Sequence, residues 1–360
     1  GLGSKLPVEG PVVLVDLSGL KNIYVDPVMG YAIIQAGVTQ GELSDYLLSQ
    51  QLPLKFPVTG SATTTSIVGN VLDRGVAAFF HRRPRLLGIE AVLGDGQVVR
   101  TGHWHYHQTA QSPIFYAPGL GPDLTPLFCQ SNLGLVTAMA IQLLPRDRGT
   151  LFFTETTEQH LPTVIHQLRQ LQQQQMIGEG ILITNKNDPR TTEQGDYAYH
   201  GQWSIVAALT GIDPVRARLQ ERVQAVLRQH CQAITFVESD STHPLDHPYQ
   251  GVLRDMYNGI PSNYSLETMA QLHGIAIERA HEVDTNPQFP GMAVALMAVP
   301  FEGERALAII QRVRTISQVH ECQCFYNLAT LDHRTFEGFF RVYFDREAPA
   351  AVARAQAWNQ

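Results

Sequence analysis

The chain has 360 residues, which is enough for one large domain or two ordinary domains with their own cores. Hydrophobic residues make up 44% and charged residues 16%, a composition that predicts a folded globular chain and excludes a disordered one. The formal net charge of -7 argues against a nucleic-acid partner and against an anionic membrane surface, because phosphate binding needs clustered basic residues. No apolar run of about 18 residues occurs, so no membrane span is predicted.

Turn residues and periodic apolar runs predict a β-rich first part. In chain order, the predicted elements are strands at 12–16 and 31–38, a helix at 42–51, a hairpin of 89–93 with 97–101, and a strand at 135–144. Gly94-Asp95-Gly96 supplies the hairpin turn, since glycine adopts the positive φ angles that such turns need. Pro53 and Pro57 end the helical pattern.

After Arg148 the pattern changes to strand, helix and strand, repeated three times. The predicted strands are 151–154, 180–184, 203–209, 233–237, 292–299, 322–330 and 339–344, with helices at 158–173, 214–230 and 302–319. This alternation predicts an α+β domain with helices on one face of a sheet. We therefore divide the chain into residues 1–148 and residues 149–360.

The four cysteines are too few and too scattered for a disulfide framework. On a strand, Cys322 and Cys324 would share one face, and we interpret them as a pair without chemical function, with a metal or redox pair as the alternative. His103-Trp-His-Tyr-His107 places three histidines at alternate positions, but no Asp, Glu or Cys completes a zinc site nearby. We interpret it as an exposed loop and predict no metal site.

The segment Thr59-Gly-Ser-Ala-Thr-Thr-Thr-Ser-Ile-Val-Gly-Asn70 is the most informative part of the sequence. Small and hydroxyl side chains at this density cannot fill a core, whereas they let the backbone approach a ligand and offer N–H and O–H donors to it. A diphosphate fits that description. Gly69-Asn70 is predicted to begin a helix, whose N-terminus favours anions. The Gly-x-Gly-x-x-Gly fingerprint of nicotinamide dinucleotide sites is absent.

Several motifs surround this segment in a fixed order: Gly37-Val38, Arg74-Gly-Val76, Gly94-Asp-Gly96, Gly121-Pro-Asp-Leu124 and Gln130-Ser-Asn-Leu-Gly-Leu-Val-Thr137. The series resembles the flavin domain of the vanillyl-alcohol oxidase / p-cresol methylhydroxylase family, and the resemblance continues through His247-Pro248 to Pro261. It implies an α+β, two-domain flavoprotein with a p-cresol-methylhydroxylase-type FAD-binding domain at 1–148 and an α+β cap domain at 149–360.

The resemblance also implies a set of cofactor-binding residues. Thr63, Thr64, Thr65 and Ser66 match the family's loop against the FAD pyrophosphate, and Leu135 and Val136 match the backbone segment at the adenosine end. With the neighbouring glycines and polar residues, the predicted FAD-binding set is Gly3, Gly60, Ser61, Thr63, Thr64, Thr65, Ser66, Gly69, Asn70, Arg74, Gly75, Leu135 and Val136.

The first and last residues of the sequence indicate which parts of the family's two domains the chain contains. Gly1-Leu-Gly-Ser4 resembles the tail of the family's first phosphate loop, and the last residues indicate a helix. We expect that the chain lacks the start of the first domain and the end of the second, where the family's phenol-binding Tyr-Arg pair lies.

The sequence departs from the family where an acid near the flavin is expected. The segment Ala77-Ala-Phe-Phe-His-Arg-Arg-Pro84 has no carboxylate. We predict His81 as a base and Arg83 as a cation that stabilises reduced flavin; the alternative is a surface loop. Phe336, Glu337 and Gly338 lie nearest to the family's covalent flavin tether and none matches it, so FAD is predicted to be non-covalent, with His333 as the alternative tether.

These observations predict an FAD-linked oxidase or dehydrogenase that oxidises an alcohol or a para-substituted phenol by hydride transfer to flavin N5. The alternatives are an FAD-dependent 2-hydroxy-acid dehydrogenase and an inactive flavin-fold binding protein. The predicted partners are a small-molecule substrate, oxygen or a redox protein as electron acceptor, and a second copy of the chain in a homodimer. No nucleic acid or membrane partner is predicted, and a cytoplasmic location is expected.

Overall fold

The computed structural model describes residues 13–110, 112–186, 202–242, 245, 247–283 and 286–360. These residues form two compact units. The first contains the described residues up to Gly75, together with Arg82–Asp147 and Gly259–Pro261. The second contains Val76–His81, Arg148–Asn258 and the residues from Ser262 onward.

The first unit is built on a five-stranded antiparallel sheet in the order β1-β2-β6-β4-β5. Its elements are β1 (Ile23–Asp26), β2 (Tyr31–Gln35), α1 (Gln40–Ser49), β3 (Leu54–Lys55), α2 (Ile67–Leu72), β4 (Leu86–Leu93), β5 (Val98–Arg100), α3 (Trp104–Ala110), β6 (Gly134–Gln142) and β7 (Leu144–Pro145). Strand β3 pairs with β7 in a separate two-stranded sheet. The hairpin of β4 and β5 was predicted, and Gly96 takes the positive φ angle of its turn.

Helix α1 begins at a complete capping box. The Thr39 hydroxyl accepts the Glu42 backbone N–H, and the Glu42 carboxylate accepts the Thr39 N–H. Lys21 reaches the same carboxylate at 2.8 Å and the Gly37 carbonyl at 2.6 Å. These bonds fix the start of α1 a few residues after the end of β2.

Three predictions for the first unit are wrong. Residues 13–16 form no strand and their side chains are exposed, whereas the first strand is β1, which was not predicted. Residues 104–107 lie in helix α3, whereas the tract 103–107 was predicted to be an exposed loop. Helix α2 begins after Ser66, so Gly69 and Asn70 lie within it and do not start it.

The second unit is a seven-stranded antiparallel sheet in the order β11-β8-β10-β9-β13-β14-β12. Its elements are β8 (Thr150–Thr157), α4 (Leu161–Gln173), β9 (Ile181–Asn185), β10 (Gln202–Leu209), α5 (Asp213–Leu227), β11 (Gln232–Glu238), α6 (Pro248–Tyr257), α7 (Tyr264–Leu272), β12 (Gly291–Pro300), α8 (Gly303–Val319), β13 (Cys324–Asp332), β14 (Thr335–Phe344) and α9 (Pro349–Asn359). Apolar residues of α4, α5, α8 and α9 form one core cluster with alternate residues of the strands. These four helices therefore cover one face of the sheet, and the predicted α+β class is confirmed.

We call the face that these helices cover the helix face and the opposite face the second face. Along β14, Phe336, Phe340 and Val342 point to the helix face, where Phe336 packs on Phe301 with ring centroids 4.2 Å apart. Because side chains alternate along a strand, Glu337, Phe339 and Arg341 point to the second face. The predicted cysteine pair does not sit on one strand, since Cys322 precedes β13 and Cys324 begins it.

Candidate functional site

The hydroxyl-rich loop, residues 59–66, is organised by one buried side chain, that of Gln40 at the start of α1. The Gln40 amide donates to the carbonyls of Ser61 at 2.9 Å and Ala62 at 2.8 Å, and its own oxygen accepts the Thr59 N–H at 3.2 Å. Backbone bonds add to this, since Gln40 N–H donates to Thr65 and Gly41 N–H donates to Thr63. The backbone of the loop is therefore held in place from α1.

Most of the predicted loop residues lie at the surface of the first unit. Gly60, Ser61 and Thr64 are exposed, and Thr63, Thr65 and Ser66 are half-buried. Within the loop, the Ser61 hydroxyl bonds to Thr59 and accepts from Thr65 at 2.9 Å. The Ser66 hydroxyl donates to the Ala36 carbonyl and accepts the Gly69 N–H at 3.1 Å. The loop thus presents glycine backbone and hydroxyl groups on an accessible surface, which fits a phosphate ligand.

A buried arginine, Arg82, lies behind this loop. Its Nε donates to the Pro57 carbonyl at 2.7 Å, one terminal nitrogen donates to Asn70 Oδ1 at 2.7 Å, and the other donates to Gln40 Oε1 at 2.9 Å. All three acceptors are neutral. Arg82 therefore connects the amide that holds the loop to a predicted cofactor-binding residue, Asn70.

The charge of Arg82 is not neutralised by the part of the chain that the structure describes. Only 4% of the residue is exposed. Burial lowers the pKa of its guanidinium, and no carboxylate opposes that effect. A buried cation without an anion is unfavourable unless a bound group supplies negative charge. A buried positive charge beneath an accessible hydroxyl-rich loop fits a diphosphate.

Gly75 explains how Asn70 keeps its orientation. A side chain at position 75 would overlap the carboxamide of Asn70. Just before it, Arg74 ends helix α2 in the left-handed region, with φ at 58°, a position that favours glycine. Arg74 is itself exposed. The Arg-Gly pair therefore shapes the end of α2 around the side chain that Arg82 contacts.

Leu135 and Val136 lie at the start of β6, in a segment that reaches beyond the end of β2. Both residues pair with β4, whereas the register with β2 ends at Gln35 and Ala138. Leu135 is 39% exposed and Val136 is buried. The backbone groups of Leu135 and Val136 that face away from β4 are therefore not paired with β2. A segment that binds a ligand through its backbone needs such groups. Gly3, the remaining member of the predicted set, lies outside the described residues.

The two predicted catalytic residues fall in different units. His81 is half-buried in the second unit, where its backbone N–H donates to the Glu179 carboxylate at 3.1 Å. The neighbouring Phe79 and Phe80 contact Tyr257, with ring centroids 5.8 Å and 5.4 Å away. Arg83 is exposed in the first unit and lies close enough to Cys129 to favour its thiolate, although burial dominates and raises the pKa of that thiol. The buried cation of this segment is Arg82, which lies between the two predicted residues.

Polar residues on the second face of the second unit's sheet were not predicted as site residues. Arg341 is 4% exposed, donates to Asn327 Oδ1 at 3.1 Å and lies 5.2 Å from the ring centroid of Phe339. Thr184 lies opposite Asn327 in the ladder and is also buried. Glu337 is half-buried on the same face, and burial raises its pKa to about 7. The sequence did contain a signal for these residues, because the charged Glu337 and Arg341 stand among aromatic residues along β14.

The described residues also include the alternative sites that were considered from the sequence. They contain no group of three or more His, Cys, Asp and Glu side chains placed to hold a metal ion. His333, the alternative tether, is exposed in the turn between β13 and β14, and its carbonyl accepts from Arg169. No described helix is long and apolar enough to cross a membrane.

Comparison with known sequences gives matches to flavoproteins. Residues 1–102 match the family model described as FAD binding domain. The chain is 33% identical over 190 residues to 1'-carboxy-chondrochloren decarboxylase of Chondromyces crocatus, covering 51% of this chain and 35% of that protein. It is 36% identical over 149 residues to the flavoprotein subunit of 4-cresol dehydrogenase [hydroxylating] of Pseudomonas putida, covering 41% and 28% respectively. The matches span about a third of the length of these relatives.

Comparison with solved structures gives the same fold for both units. p-Cresol methylhydroxylase with substrate bound superposes with a TM-score of 0.77 at 20% identity, covering 95% of this chain and 68% of that one. The 4-ethylphenol oxidase of Gulosibacter chungangensis, in complex with isoeugenol, superposes with a TM-score of 0.76 at 18% identity, covering 94% and 67%. Two-domain flavoproteins with an FAD-binding domain therefore share this architecture.

Proposed function

We propose that this chain is an FAD-linked oxidoreductase of the p-cresol methylhydroxylase / vanillyl-alcohol oxidase type, and that it oxidises an alcohol or a para-substituted phenol with non-covalently bound FAD. The observation that carries the proposal is the buried, unneutralised charge of Arg82 behind the hydroxyl-rich loop. FAD, when bound, supplies a two-electron acceptor for the hydride of the substrate.

The residues of the first unit would bind and orient the cofactor. Hydroxyl and backbone donors of residues 59–66 would hold the diphosphate, with Gly69 nearby. Arg82 would balance its negative charge from behind without direct contact, because its donors are already used by Gln40, Asn70 and Pro57. Leu135 and Val136 would receive the adenosine end through their backbone. His81 and Arg83 remain predicted catalytic residues of this proposal.

The substrate class rests on the relatives. One of them is named for 4-cresol, and the solved structures with this fold include a 4-ethylphenol oxidase. Another relative is named as a decarboxylase of a carboxylated compound, so chemistry differs among proteins of similar sequence. We propose oxygen or a redox protein as the electron acceptor, with 2-hydroxy-acid oxidation as the alternative reaction that the experiment below separates.

In the absence of oxygen, 4-hydroxybenzyl alcohol is expected to bleach the visible absorbance of the FAD-loaded protein, because hydride transfer to flavin removes that band. Lactate and glycolate are expected to leave the band unchanged. Dithionite serves as the control that the bound flavin can be reduced. Bleaching by the hydroxy acids alone would replace the proposed reaction with the alternative one. Bleaching by none of these compounds would contradict oxidation of either class.

A further inference from the structure

Strand β12 forms one edge of the seven-stranded sheet and presents a long row of open backbone groups. All ten of its residues, Gly291–Pro300, pair with β14 in one unbroken register. On its other side no described strand follows, and its outward N–H and C=O groups bond to no described backbone group. Such an edge is a template on which another strand can pair.

The other edges of the two large sheets are protected in ways that β12 lacks. Strand β11, at the opposite edge of the same sheet, has an irregular register between Gln232 and Thr235. In the first unit, the edge strands β1 and β5 have four and three residues and end in Asp26 and Arg100. Short strands, charges and bulges are the usual means of preventing edge pairing. Strand β12 is long and regular, and it has no charged or polar side chain.

The side chains of β12 add an apolar surface to this open edge. Only Val299 is buried among its ten residues. Leu296 is 50% exposed and lies opposite Phe339 in the ladder, so it shares the second face with that residue. Met292, four residues before it, is exposed on the same face. Backbone and side chains of β12 are therefore both available to a partner.

Helix α9 extends this surface on the helix face, where it contacts both β12 and β14. It contains one charged residue, Arg354, and its exposed positions include Ala350, Ala353 and Ala357. A ten-residue strand spans roughly 34 Å at about 3.4 Å per residue, which alone gives less area than the roughly 800 Å² per partner of a stable interface. A flanking helix with small, uncharged side chains supplies further area for a closely approaching partner.

The absence of charge on β12 favours a second copy of this chain as the partner. When a strand pairs antiparallel with its own copy about a two-fold axis, residues near the axis meet the same residues of the other copy. A charged side chain there would face an identical charge, which is destabilising. A second copy also offers an edge of equal length that is equally apolar. Since the other edge of the sheet is irregular, association ends at two copies.

We propose that two copies of this chain form a dimer by antiparallel pairing of β12 with β12, with Leu296 of each copy at the two-fold axis. Leu296 stands near the middle of the strand and is its most exposed large side chain. In this register Val294 of each copy lies opposite Ala298 of the other, and both belong to the second face. The proposal involves no residue assigned to FAD or substrate, so it stands or falls independently of the proposed function.

Gel filtration with light scattering tests the dimer on the full chain. Wild type is expected to have twice the mass of one chain, and Leu296→Lys is expected to have the mass of one chain, because an edge lysine opposes strand pairing. Val98→Lys is the matched control, since Val98 is 55% exposed on the edge strand β5. This variant is expected to keep the dimer mass. Far-UV circular dichroism identical to wild type shows that each variant is folded.

Cysteine cross-linking tests the register and stays informative if the lysine variant does not fold. Under mild oxidation Leu296→Cys is expected to link two chains, because residues opposite each other in an antiparallel pair have Cα atoms about 4.5–5.5 Å apart. Met292→Cys is expected not to link them, since eight residue steps along the strand separate its two copies by roughly 27 Å. Wild type, oxidised in the same way, controls for the four native cysteines.

Three results would overturn the proposal. The first is a wild-type protein that has the mass of one chain at the highest concentration at which it stays soluble. The second is a dimer that Leu296→Lys leaves intact, or that Leu296→Lys and Val98→Lys dissociate equally. The third is cross-linking through Met292→Cys and not through Leu296→Cys.

Discussion

Replacing Arg82 with methionine is expected to lower the free energy of unfolding by about 3–5 kcal/mol and to abolish retention of FAD. Methionine keeps much of the side-chain volume and removes every donor. The Pro57 carbonyl and Asn70 Oδ1 then lose the Arg82 donors in a buried environment, and Gln40 Oε1 keeps only its bonds from Thr59. Each buried acceptor left unsatisfied costs about 1–3 kcal/mol. Removal of the unneutralised cation offsets part of this loss, so the upper end of the range is not exceeded.

Loss of FAD is expected for a separate reason. The Gln40 amide can hold the carbonyls of Ser61 and Ala62 only while its oxygen is fixed by Arg82 and Thr59. Without Arg82 the loop loses this orientation and the positive charge behind it. FAD titration followed by flavin fluorescence measures the loss of FAD binding, and urea denaturation measures the loss of stability.

Arg83→Met is the matched control, because Arg83 is the adjacent arginine and is exposed. It is expected to change the free energy of unfolding by less than about 0.5 kcal/mol. Arg82→Lys keeps the charge but can satisfy fewer of the three acceptors, so its FAD affinity is expected to lie between those of wild type and Arg82→Met. If Arg82→Met and Arg83→Met changed the FAD affinity and the free energy of unfolding equally, the burial of Arg82 would not contribute to FAD binding or to stability.

Replacing Gly180 with alanine is expected to destabilise the second unit by about 2–3 kcal/mol. Gly180 lies just before β9, and its N–H donates to the Phe79 carbonyl at 3.0 Å. An added side-chain carbon would overlap the Ala78 carbonyl and the Phe79 backbone, which cannot move aside as a flexible side chain would. The segment Val76–His81 would have to separate from β9, and Phe79 and Phe80 would lose their contact with Tyr257.

Gly251→Ala is the control for this substitution. Gly251 lies within helix α6, and an added carbon there meets no atom within 4 Å. Alanine is expected to stabilise this helix by about 0.5–1 kcal/mol. Urea denaturation followed through tryptophan fluorescence distinguishes the two variants, since Trp203 and Trp358 lie in the core of this unit. If both alanine variants change stability equally, the close approach of Phe79 to Gly180 is not a constraint on the fold.

The sequence predicts the second unit better than the first. Its strands and the helices α4, α5, α8 and α9 have regular apolar periodicity, because one sheet face and one face of each of these helices enter a single core. Helices α6 and α7, which lie outside that core, were not predicted. In the first unit, the apolar residues Val13, Leu14 and Val15 are exposed, and the four-residue strand β1 is too short to show a period. Helix α3 was missed because its histidines and aromatic residues have low helix propensity.

The candidate site, too, could be predicted only in part from the sequence. Its loop is predictable, since a run of small and hydroxyl residues has few structural uses. Arg82 could not be distinguished from His81 and Arg83 by sequence, because its burial depends on acceptors from three distant segments at Gln40, Pro57 and Asn70. The position of Glu337 depends likewise on Ala298 and Ala329, which come from other strands.

The most direct test of this account is FAD binding by the purified protein, measured by gel filtration after incubation with excess FAD. We expect one FAD to elute with each chain and to dissociate on acid precipitation, as non-covalent binding through residues 59–70 requires. A rise in Tm with FAD concentration should accompany it. Elution of all FAD apart from the protein, with an unchanged Tm, would contradict the account, because the charge of Arg82 and the loop that it supports would then have no diphosphate to bind.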